Sequence, residues 1–379
     1  MTAGTNASST AKTAPQLRRS RFDDYPQIER LESSHGLLTL PGDHWRDIWR
    51  ENPLRERLGE KWPIGWVLED SNGRVVGSLA NVPTRYVFHG QDLLAATGRA
   101  WVVEPEYRGV ALWLMEEYFL QENVDVFINT TVNTQAVEAF STFGSARVPI
   151  GDWESASFWV TNYRGFARSA LRIKGLPWPK LLMYPAAAAL RLKEMLTLKS
   201  PPATSGPFLV EEVENFGPEF DAFWGELVAR NPGKMLAVRD APTLRWHFAG
   251  ALRDGHARVL TATRNGLLRA YCVLKRQDHP PSGLVRMRLV DYQSLESDVD
   301  MLAGLLQQAL RRCVAERIHV LEHVGADLPK MQRFDRFAPY RRKLGSWPFF
   351  YKAINPALDA ELRKPEVWDP SAFDGDSSL

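Results

Sequence analysis

The chain has few cysteines and no long apolar run. Its 379 residues include two cysteines, Cys272 and Cys313, and no CxxC pair. This pattern excludes a disulfide framework and a zinc site built on cysteines, and it suits a reducing compartment. No stretch of about 18 apolar residues occurs, so the sequence predicts no membrane-spanning segment and a cytoplasmic location.

A large excess of one charge is also missing. The 47 Lys and Arg residues nearly balance the 45 Asp and Glu residues, which leaves a formal net charge of +2. This balance predicts no general attraction to DNA. Apolar residues make up 44% of the chain, enough for large cores, and the length is typical of two domains.

Residues 96–144 contain the pattern on which the functional interpretation rests. Residues 97–103 are predicted to form a strand that ends at Pro105, because proline cannot donate to a sheet. Arg108-Gly109 is predicted to open a helix, and residues 124–129 to form the next strand, which together make one parallel unit. A loop that turns directly into a helix leaves N–H groups unpaired, and these groups favour a phosphate.

Two motifs in this segment resemble the GNAT acetyltransferase superfamily. The pattern Val103-x-Pro105-x-x-Arg108-Gly109, followed by a leucine-rich helix, resembles the acyl-CoA loop of that superfamily. The helix led by Asn133 resembles the one that follows in the same fold. The resemblance implies that the first strand holds the pantetheine and thioester, and that N–H groups of the loop hold the pyrophosphate. The residues implied to bind acetyl-CoA or another acyl-CoA are Val103, Arg108, Gly109, Val110, Ala111 and Asn133.

Three positions depart from the family's pattern. Ala111 stands where the family has glycine, and the bulky Trp113 stands where it has glycine or alanine. The tyrosine that often protonates the leaving thiolate falls on Phe140, which cannot donate a proton. The sequence names no catalytic residue, since Glu104 and Glu106 flank the loop at positions where acidic residues are usually solvated.

The predicted fold class is α/β (α+β), with two tandem GNAT-like domains, each a mixed and mostly antiparallel sheet with flanking helices. The first domain is predicted at residues 21–163, after a disordered tail at residues 1–20. Helices fill residues 21–58, and hairpins at Asn72-Gly73 and His89-Gly90 give four antiparallel strands before the parallel unit. The last of these strands is expected to splay from its parallel neighbour.

Residues 164–207 are predicted to connect the two domains. Residues 164–200 contain eight Lys and Arg residues against Glu194 alone, interleaved with apolar residues. Such a segment can cover a domain seam, make peripheral contact with an anionic membrane surface, or bind an acidic substrate or the CoA phosphates. The sequence leaves these three alternatives open. Residues 201–207 are a linker by composition.

A second, degenerate GNAT-like domain is predicted at residues 208–354, followed by a C-terminal tail at residues 355–379. Its order of helices and strands matches the first domain, and a segment that begins at Arg239-Asp240 resembles GNAT-like acyltransferases of cell-envelope pathways. No glycine occurs between Tyr292 and Ala303, so the second domain has no Arg-Gly turn before its long helix. It is therefore expected to lack a phosphate site and to shape the acceptor site.

His319-x-x-Glu322-His323 matches a pattern of some zinc peptidases. That chemistry needs both histidines on one face of a helix, one turn apart. The flanking Ile318, Val320 and Val324 predict a strand instead, which would separate the histidines by roughly 13 Å at about 3.3 Å per residue. No metal is expected at this motif.

The leading functional hypothesis is an acyl-CoA-dependent acyltransferase, an N-acetyltransferase in which an amine attacks the thioester directly. One alternative resembles the Fem-type transferases, which use an aminoacyl-tRNA as donor. Another is a non-catalytic module that binds CoA or a metabolite. The expected partner is a small-molecule or saccharide amine acceptor, and the sequence leaves amino sugars, nucleotide sugars, peptide amines and small amines open.

Overall fold

The computed structural model describes residues 14–151, 153–197, 199–202, 206–326, 328–345 and 347–379. Residues 1–13 of the predicted tail and 203–205 of the predicted linker lie outside the described residues. The chain divides into two compact units. Unit 1 extends to Arg50 and includes Arg55–Val82 and Gly98–Glu122, whereas unit 2 contains Glu51–Leu54, Pro83–Thr97 and Asn123–Leu379.

The described residues form 15 strands and 12 α-helices. The strands are β1 (Gln16–Arg19), β2 (Gly65–Glu69), β3 (Val75–Phe88), β4 (Gln91–Val103), β5 (Val126–Asn129), β6 (Ala146–Arg147), β7 (Ser155–Val160), β8 (Leu209–Val213), β9 (Leu236–Ala237), β10 (Ala257–Arg264), β11 (Leu267–Arg276), β12 (Arg286–Ser294), β13 (Val320–Val324), β14 (Tyr340–Lys343) and β15 (Phe350–Ala353). The helices are α1 (Tyr25–Ser34), α2 (Gly42–Arg50), α3 (Arg55–Leu58), α4 (Leu112–Phe119), α5 (Val137–Thr142), α6 (Tyr163–Ile173), α7 (Pro179–Thr197), α8 (Glu219–Arg230), α9 (Ala241–Arg253), α10 (Val299–Ala315), α11 (Leu328–Asp335) and α12 (Pro356–Leu362).

Unit 1 begins with a strand where the sequence predicts a disordered tail. Strand β1 pairs antiparallel with β2, so the prediction is wrong for Gln16–Arg19. Arg18 explains the order of this segment, because its guanidinium binds Asp24 and Glu69, each at 2.8 Å. A single arginine therefore ties β1 both to the residues before α1 and to the end of β2.

Strand β3 replaces two of the four antiparallel strands predicted before the parallel unit. It continues through Val82-Pro83 from Val75 to Phe88. Pro83 cannot donate a hydrogen bond, and its carbonyl oxygen accepts one from Nδ2 of Asn52 at 3.0 Å. The predicted hairpins between β2 and β3 and between β3 and β4 are both confirmed.

The first sheet has the strand order β1-β2-β3-β4-β5-β15-β6, and β9 pairs with β3. Its parallel pair is confirmed, since Ala95, Ala96 and Thr97 of β4 align with Val126–Ile128 of β5. This pairing covers three residues and ends at Thr97. Strand β15, from near the end of the chain, pairs antiparallel with both β5 and β6.

The second sheet lies within unit 2 and has the order β14-β7-β13-β12-β11-β10-β8. Here β12 and β13 are the parallel pair, and α10 crosses between them. Strand β7 lies between β13 and β14, although it belongs to the sequence of the predicted first domain. The two halves of the chain thus exchange one strand each, β7 for β15.

This exchange corrects the predicted boundaries at residues 163 and 354. All six residues of β7 are buried, and both of its edges are paired, so the strand is integral to the second sheet. Residues 355–379, predicted as a C-terminal tail, are also part of the folded structure. They form α12 and a buried segment, in which the carbonyl oxygen of Asp374 accepts a hydrogen bond from the Tyr86 hydroxyl at 2.5 Å.

Two aromatic and aliphatic cores lie in unit 2. One joins the helices α8 and α9 to Tyr271 and Val259 of the second sheet, and the other packs α10 on the opposite face of that sheet. None of the described helices is both long enough and apolar enough to cross a membrane.

Candidate functional site

The candidate site is the turn that connects β4 to α4 in unit 1. Strand β4 ends at Val103, as predicted, and the N–H of Glu104 still donates to the carbonyl of Val76 at 2.9 Å. A 3-10 helix then occupies Pro105–Val110, and α4 begins at Leu112. Pro105 takes the first helical position, where its fixed φ is suitable and its missing N–H costs nothing.

The backbone of this turn differs from the open loop that the sequence predicts. A 3-10 helix bonds each N–H to the carbonyl three residues earlier, so the amides of Arg108, Gly109 and Val110 lie within such turns. The N–H of Ala111 donates to the carbonyl of Arg108 at 3.2 Å. The helix forms because proline starts the turn at residue 105, three residues before the predicted start.

The surface of the turn is accessible. Pro105, Glu106, Arg108 and Gly109 are exposed, while Tyr107 points inward and is buried. Gly109 has no positive φ, and a Cβ built there would meet no atom within 4 Å. Neither backbone conformation nor packing within the chain therefore requires glycine at position 109.

Arg108, Gly109, Val110 and Ala111 are consecutive and Val103 ends the strand before the turn, all within unit 1, but Asn133 belongs to unit 2. Asn133 caps a 3-10 turn that leads into α5, and its side chain accepts a hydrogen bond from the N–H of Gln135 at 3.0 Å. The predicted asparagine-led helix is thus present. On α5, Phe140 is buried and stacks on Phe350 of β15, with ring centroids 5.8 Å apart.

Unit 1 contains a buried polar pair that no sequence motif marks, Glu32 of α1 and Arg99 of β4. Glu32 is 1% exposed, and its Oε1 atom has no hydrogen-bond partner among the described residues. Arg99 is also buried, and its Nη1 atom has no partner in the described part of the chain. Burial raises the pKa of Glu32, although the charge of Arg99 opposes the rise. Because buried polar atoms are normally paired, these two atoms indicate a place for a polar ligand.

The backbone of β4 is irregular next to Arg99. Ala100 has a φ of +54°, a left-handed conformation that is strained for a residue with a side chain. A left-handed residue inside a strand is typical of a β-bulge, which leaves backbone groups out of the ladder and turns the neighbouring side chains. Bulges of this kind are common beside active sites.

One sequence signal could have identified Glu32. It lies four residues after Ile28 on α1, in the row of buried positions that also includes Leu31. A carboxylate in a row of apolar positions is unusual, and Glu32 lies outside both GNAT-like motifs. Glu104, which directly precedes the turn, forms an ion pair with Arg74 at 2.8 Å.

The second sheet has no equivalent of the exposed turn in its described residues. Its crossover helix α10 is capped by Asp298, whose carboxylate accepts hydrogen bonds from the N–H groups of Asp300 and Met301. Arg264 also binds Asp298, at 2.6 Å. A carboxylate therefore already occupies the positive end of α10, where a phosphate would otherwise bind.

Residues 320–323 of the zinc-like motif lie on a strand, as predicted, and His319 directly precedes it. His323 is on β13, where it is buried and stacks on Phe334, and burial lowers its pKa to about 3. His319 precedes the strand, and its Nδ1 atom accepts a hydrogen bond from the N–H of Val285 at 3.3 Å. The two rings have separate structural roles.

Comparison with known proteins identifies the fold. No protein-family model and no curated protein matches the chain. A GCN5-related N-acetyltransferase from Anabaena variabilis ATCC 29413 is 12% identical with a TM-score of 0.52, over 90% of this chain and 73% of that chain. A probable N-acyltransferase from Enterococcus faecalis V583 is 9% identical with a TM-score of 0.54, over 90% and 73%. Saccharomyces cerevisiae N-myristoyltransferase, solved with bound myristoyl-CoA, is 10% identical with a TM-score of 0.55, over 93% and 84%.

Identities of 9–12% show the fold alone. The chain has the fold of the GNAT superfamily, and its two mixed sheets agree with tandem GNAT-like domains, as in N-myristoyltransferase. The predicted fold class is confirmed.

Proposed function

We propose that the protein is an acyl-CoA-dependent acyltransferase, and specifically an N-acetyltransferase that moves an acetyl or other acyl group from CoA to an amine. The observation that supports this most is the exposed turn at Pro105–Val110, which joins β4 to α4 in a GNAT fold. The yeast N-myristoyltransferase with a similar fold was solved with an acyl-CoA bound. The proposed co-substrate is acetyl-CoA or another acyl-CoA, and the proposed acceptor is a saccharide or small-molecule amine.

The turn offers three groups to a diphosphate. Arg108 is an exposed guanidinium, and Gly109 leaves open space for a close approach. The N–H of Ala111 donates to the carbonyl of Arg108 at 3.2 Å, which is at the long end of the hydrogen-bond range. Exchange of that acceptor for a phosphate oxygen replaces a weak bond with a charge-assisted one. CoA binding is therefore expected to open the last turn of the 3-10 helix.

The proposed reaction is direct transfer. The amine nitrogen attacks the thioester carbonyl carbon, a C–N bond forms, and the C–S bond then breaks. The amine gives up one proton, and CoA leaves as a thiolate that takes up a proton. We assign the stabilisation of the oxyanion that forms in between to backbone N–H groups at the end of β4, near the left-handed Ala100.

We assign the role of proton acceptor to Glu32. A general base works best when its pKa lies near the working pH, and burial moves the pKa of Glu32 in that direction. Its unpartnered Oε1 atom can accept a proton or a hydrogen bond from an amine. In the GNAT order the helices before β2 border the acceptor, which is the place that α1 occupies in the sequence.

Binding of acetyl-CoA by isothermal titration tests the proposal. Arg108→Glu should weaken binding at least tenfold, because losing a charged hydrogen bond costs about 1.5–3 kcal/mol. Arg311→Glu, a charge reversal at an exposed site on α10, is the matched control and should bind as the wild type does. Equal binding by Arg108→Glu would place the CoA site elsewhere. Salt-sensitive binding of tRNA without CoA affinity would favour the Fem-type alternative.

Transfer assays separate an enzyme from a binding module. Wild-type protein should release CoA in the presence of an amine from a panel of amino sugars, peptide amines and small amines. Glu32→Gln should lower kcat while leaving acetyl-CoA affinity unchanged, whereas Glu29→Gln on the same helix should change neither. If the wild type binds CoA but transfers nothing to any acceptor class, the non-catalytic alternative is correct.

A further inference from the structure

The helices α6 and α7 form a hairpin whose inner face is fixed to the second sheet. Gly165 of α6 packs so closely on His319 that a Cβ there would lie 2.4 Å from the imidazole ring. On α7, the carbonyl of Leu190 accepts a hydrogen bond from the hydroxyl of Tyr340 at 2.5 Å, and the Nζ atom of Lys193 lies 5.3 Å from the centre of the Tyr340 ring. The hairpin is therefore a fixed part of unit 2.

The outer face of this hairpin is unusually apolar. Eighteen large apolar side chains are exposed in the described part of the chain, and half of them lie within residues 173–196. These nine are Ile173, Leu176, Trp178, Leu181, Leu182, Tyr184, Leu192, Met195 and Leu196. Scattered apolar side chains on a surface are normal, but a contiguous group of this kind marks an interaction site.

The spacing on α7 places most of these side chains in one stripe. Ala187 is the one buried residue among those of α7 that the structure describes. It lies nine residues before Leu196, which is two and a half helical turns. Leu196 therefore faces away from the side on which α7 is packed, and it is 74% exposed. Trp178 lies just before the helix and is 71% exposed.

The charges around the stripe are almost all positive. The hairpin and its connecting turn carry Arg164, Arg168, Arg172, Lys174, Lys180, Arg191 and Lys193. Their one acidic neighbour, Glu194, accepts a hydrogen bond from the hydroxyl of Tyr163 and so faces the inner side of the hairpin. Of these cations, Lys193 and Arg172 reach Tyr340 and Ser282 on the inner side, whereas Lys174 and Lys180 are exposed. The outer face thus combines a large apolar stripe with exposed cations.

We propose that this face, which we call the hairpin surface (residues 173–196), docks on an anionic lipid bilayer. Apolar side chains with an interfacial tryptophan and surrounding Lys and Arg match the boundary between acyl chains and anionic headgroups. The helices lie along the membrane, since none of the described helices can span it. The proposal is independent of acyl transfer, because no part of the CoA turn belongs to the hairpin surface.

Flotation with lipid vesicles tests the proposal on the full chain. The protein should float with phosphatidylcholine vesicles that contain about 30% phosphatidylserine, bind pure phosphatidylcholine much less, and dissociate as salt rises. The triple variant Trp178→Ser, Leu181→Ser, Leu196→Ser should lower the partition coefficient at least tenfold. Reversal of charge in Lys174→Glu with Lys180→Glu should abolish the preference for anionic vesicles.

The matched control is a triple variant at apolar side chains exposed elsewhere: Leu267→Ser, Val314→Ser, Ile354→Ser. It should bind vesicles as the wild type does, and circular dichroism should show that all variants are folded. No binding to either vesicle, or an equal loss in the control triple, would overturn the proposal. A dimer that the hairpin triple dissociates, without vesicle binding, would assign the surface to a second copy of the chain instead.

Discussion

Arg239 and Asp291 form an ion pair in which neither side chain has any exposed surface, with Nε of Arg239 3.0 Å from Oδ2 of Asp291. The same guanidinium donates to the hydroxyl of Ser371 at 2.9 Å and approaches Asp374 at 3.2 Å. Asp291 also accepts a hydrogen bond from the hydroxyl of Tyr271 at 2.8 Å. The segment after α12 is therefore held by a polar network inside unit 2, and not by apolar contacts alone.

Removing one partner of this pair should destabilise the protein strongly. Asp291→Ala leaves Arg239 buried with less compensation, and such losses amount to about 3–5 kcal/mol. The free energy of unfolding from urea titration measures the effect. Asp359→Ala removes the partner of Arg363 in an exposed pair on α12 and should leave the transition midpoint unchanged. Equal effects of the two variants would contradict the structural role assigned to Asp291.

The second carboxylate of the network should make stability depend on pH. Burial raises the pKa of Asp374 to about 6, whereas an unfolded aspartate titrates near about 3.9. Between these values the unfolded chain loses its proton first, so the free energy of unfolding falls as pH rises from about 4 to about 6. Above about pH 6 the ionised Asp374 lowers the free energy of unfolding by its full amount, about 3 kcal/mol.

Asp374→Asn tests that sign, because asparagine keeps the shape and carries no charge. The stability of the variant relative to the wild type should rise between about pH 4 and pH 6 and then stay level. Urea titrations at several pH values measure this difference. A difference that does not change with pH would show that Asp374 keeps its ordinary pKa in the folded protein.

Because Gly165 and His319 are in contact, substitutions at the two positions should have non-additive effects on stability. Gly165→Ala forces the imidazole to move, which disturbs its hydrogen bond with Val285 and should cost about 1–3 kcal/mol. In the background of His319→Ala the clash is gone, and the same change should be neutral or stabilise α6 by up to about 1 kcal/mol. A double-mutant cycle on thermal unfolding measures the coupling, and additive effects would refute the contact.

Local signals in the sequence were sufficient to predict most helices and hairpins. The long helix predicted for the second domain is present as α10, because its leucine spacing and the cap at Asp298 both act within a few residues. The hairpin between β10 and β11 turns through Asn265 and Gly266 with φ values of 54° and 74°, which those two residues adopt easily.

Pairings between distant segments could not be predicted in this way. Strand β7 is uniformly buried and could have joined either sheet, and its partners β13 and β14 lie more than a hundred residues away in sequence. The order of β1 depends on the contacts of Arg18 with Asp24 and Glu69. Of the candidate site, the loop position was predictable, but the 3-10 turn and the burial of Glu32 depend on tertiary context.

Gly109→Ala is the sharpest test of how closely a phosphate approaches the turn. The folded chain can accept the new Cβ, since no atom lies within 4 Å of it and φ is not positive. Stability should stay the same or rise by about 0.4–1 kcal/mol, as for glycine replaced where its conformation suits alanine. Affinity for acetyl-CoA should nevertheless fall at least tenfold in a titration, because the methyl group fills the space that the diphosphate needs.

Gly225→Ala on α8 is the matched control, because its Cβ also meets no atom within 4 Å. It should be at least as stable as the wild type and bind acetyl-CoA equally well. If Gly109→Ala also binds as the wild type does, while Arg108→Glu does not, the diphosphate is held by the guanidinium and not by the backbone of the turn. The open space at Gly109 would then have no part in binding, and the 3-10 helix could stay closed in the complex.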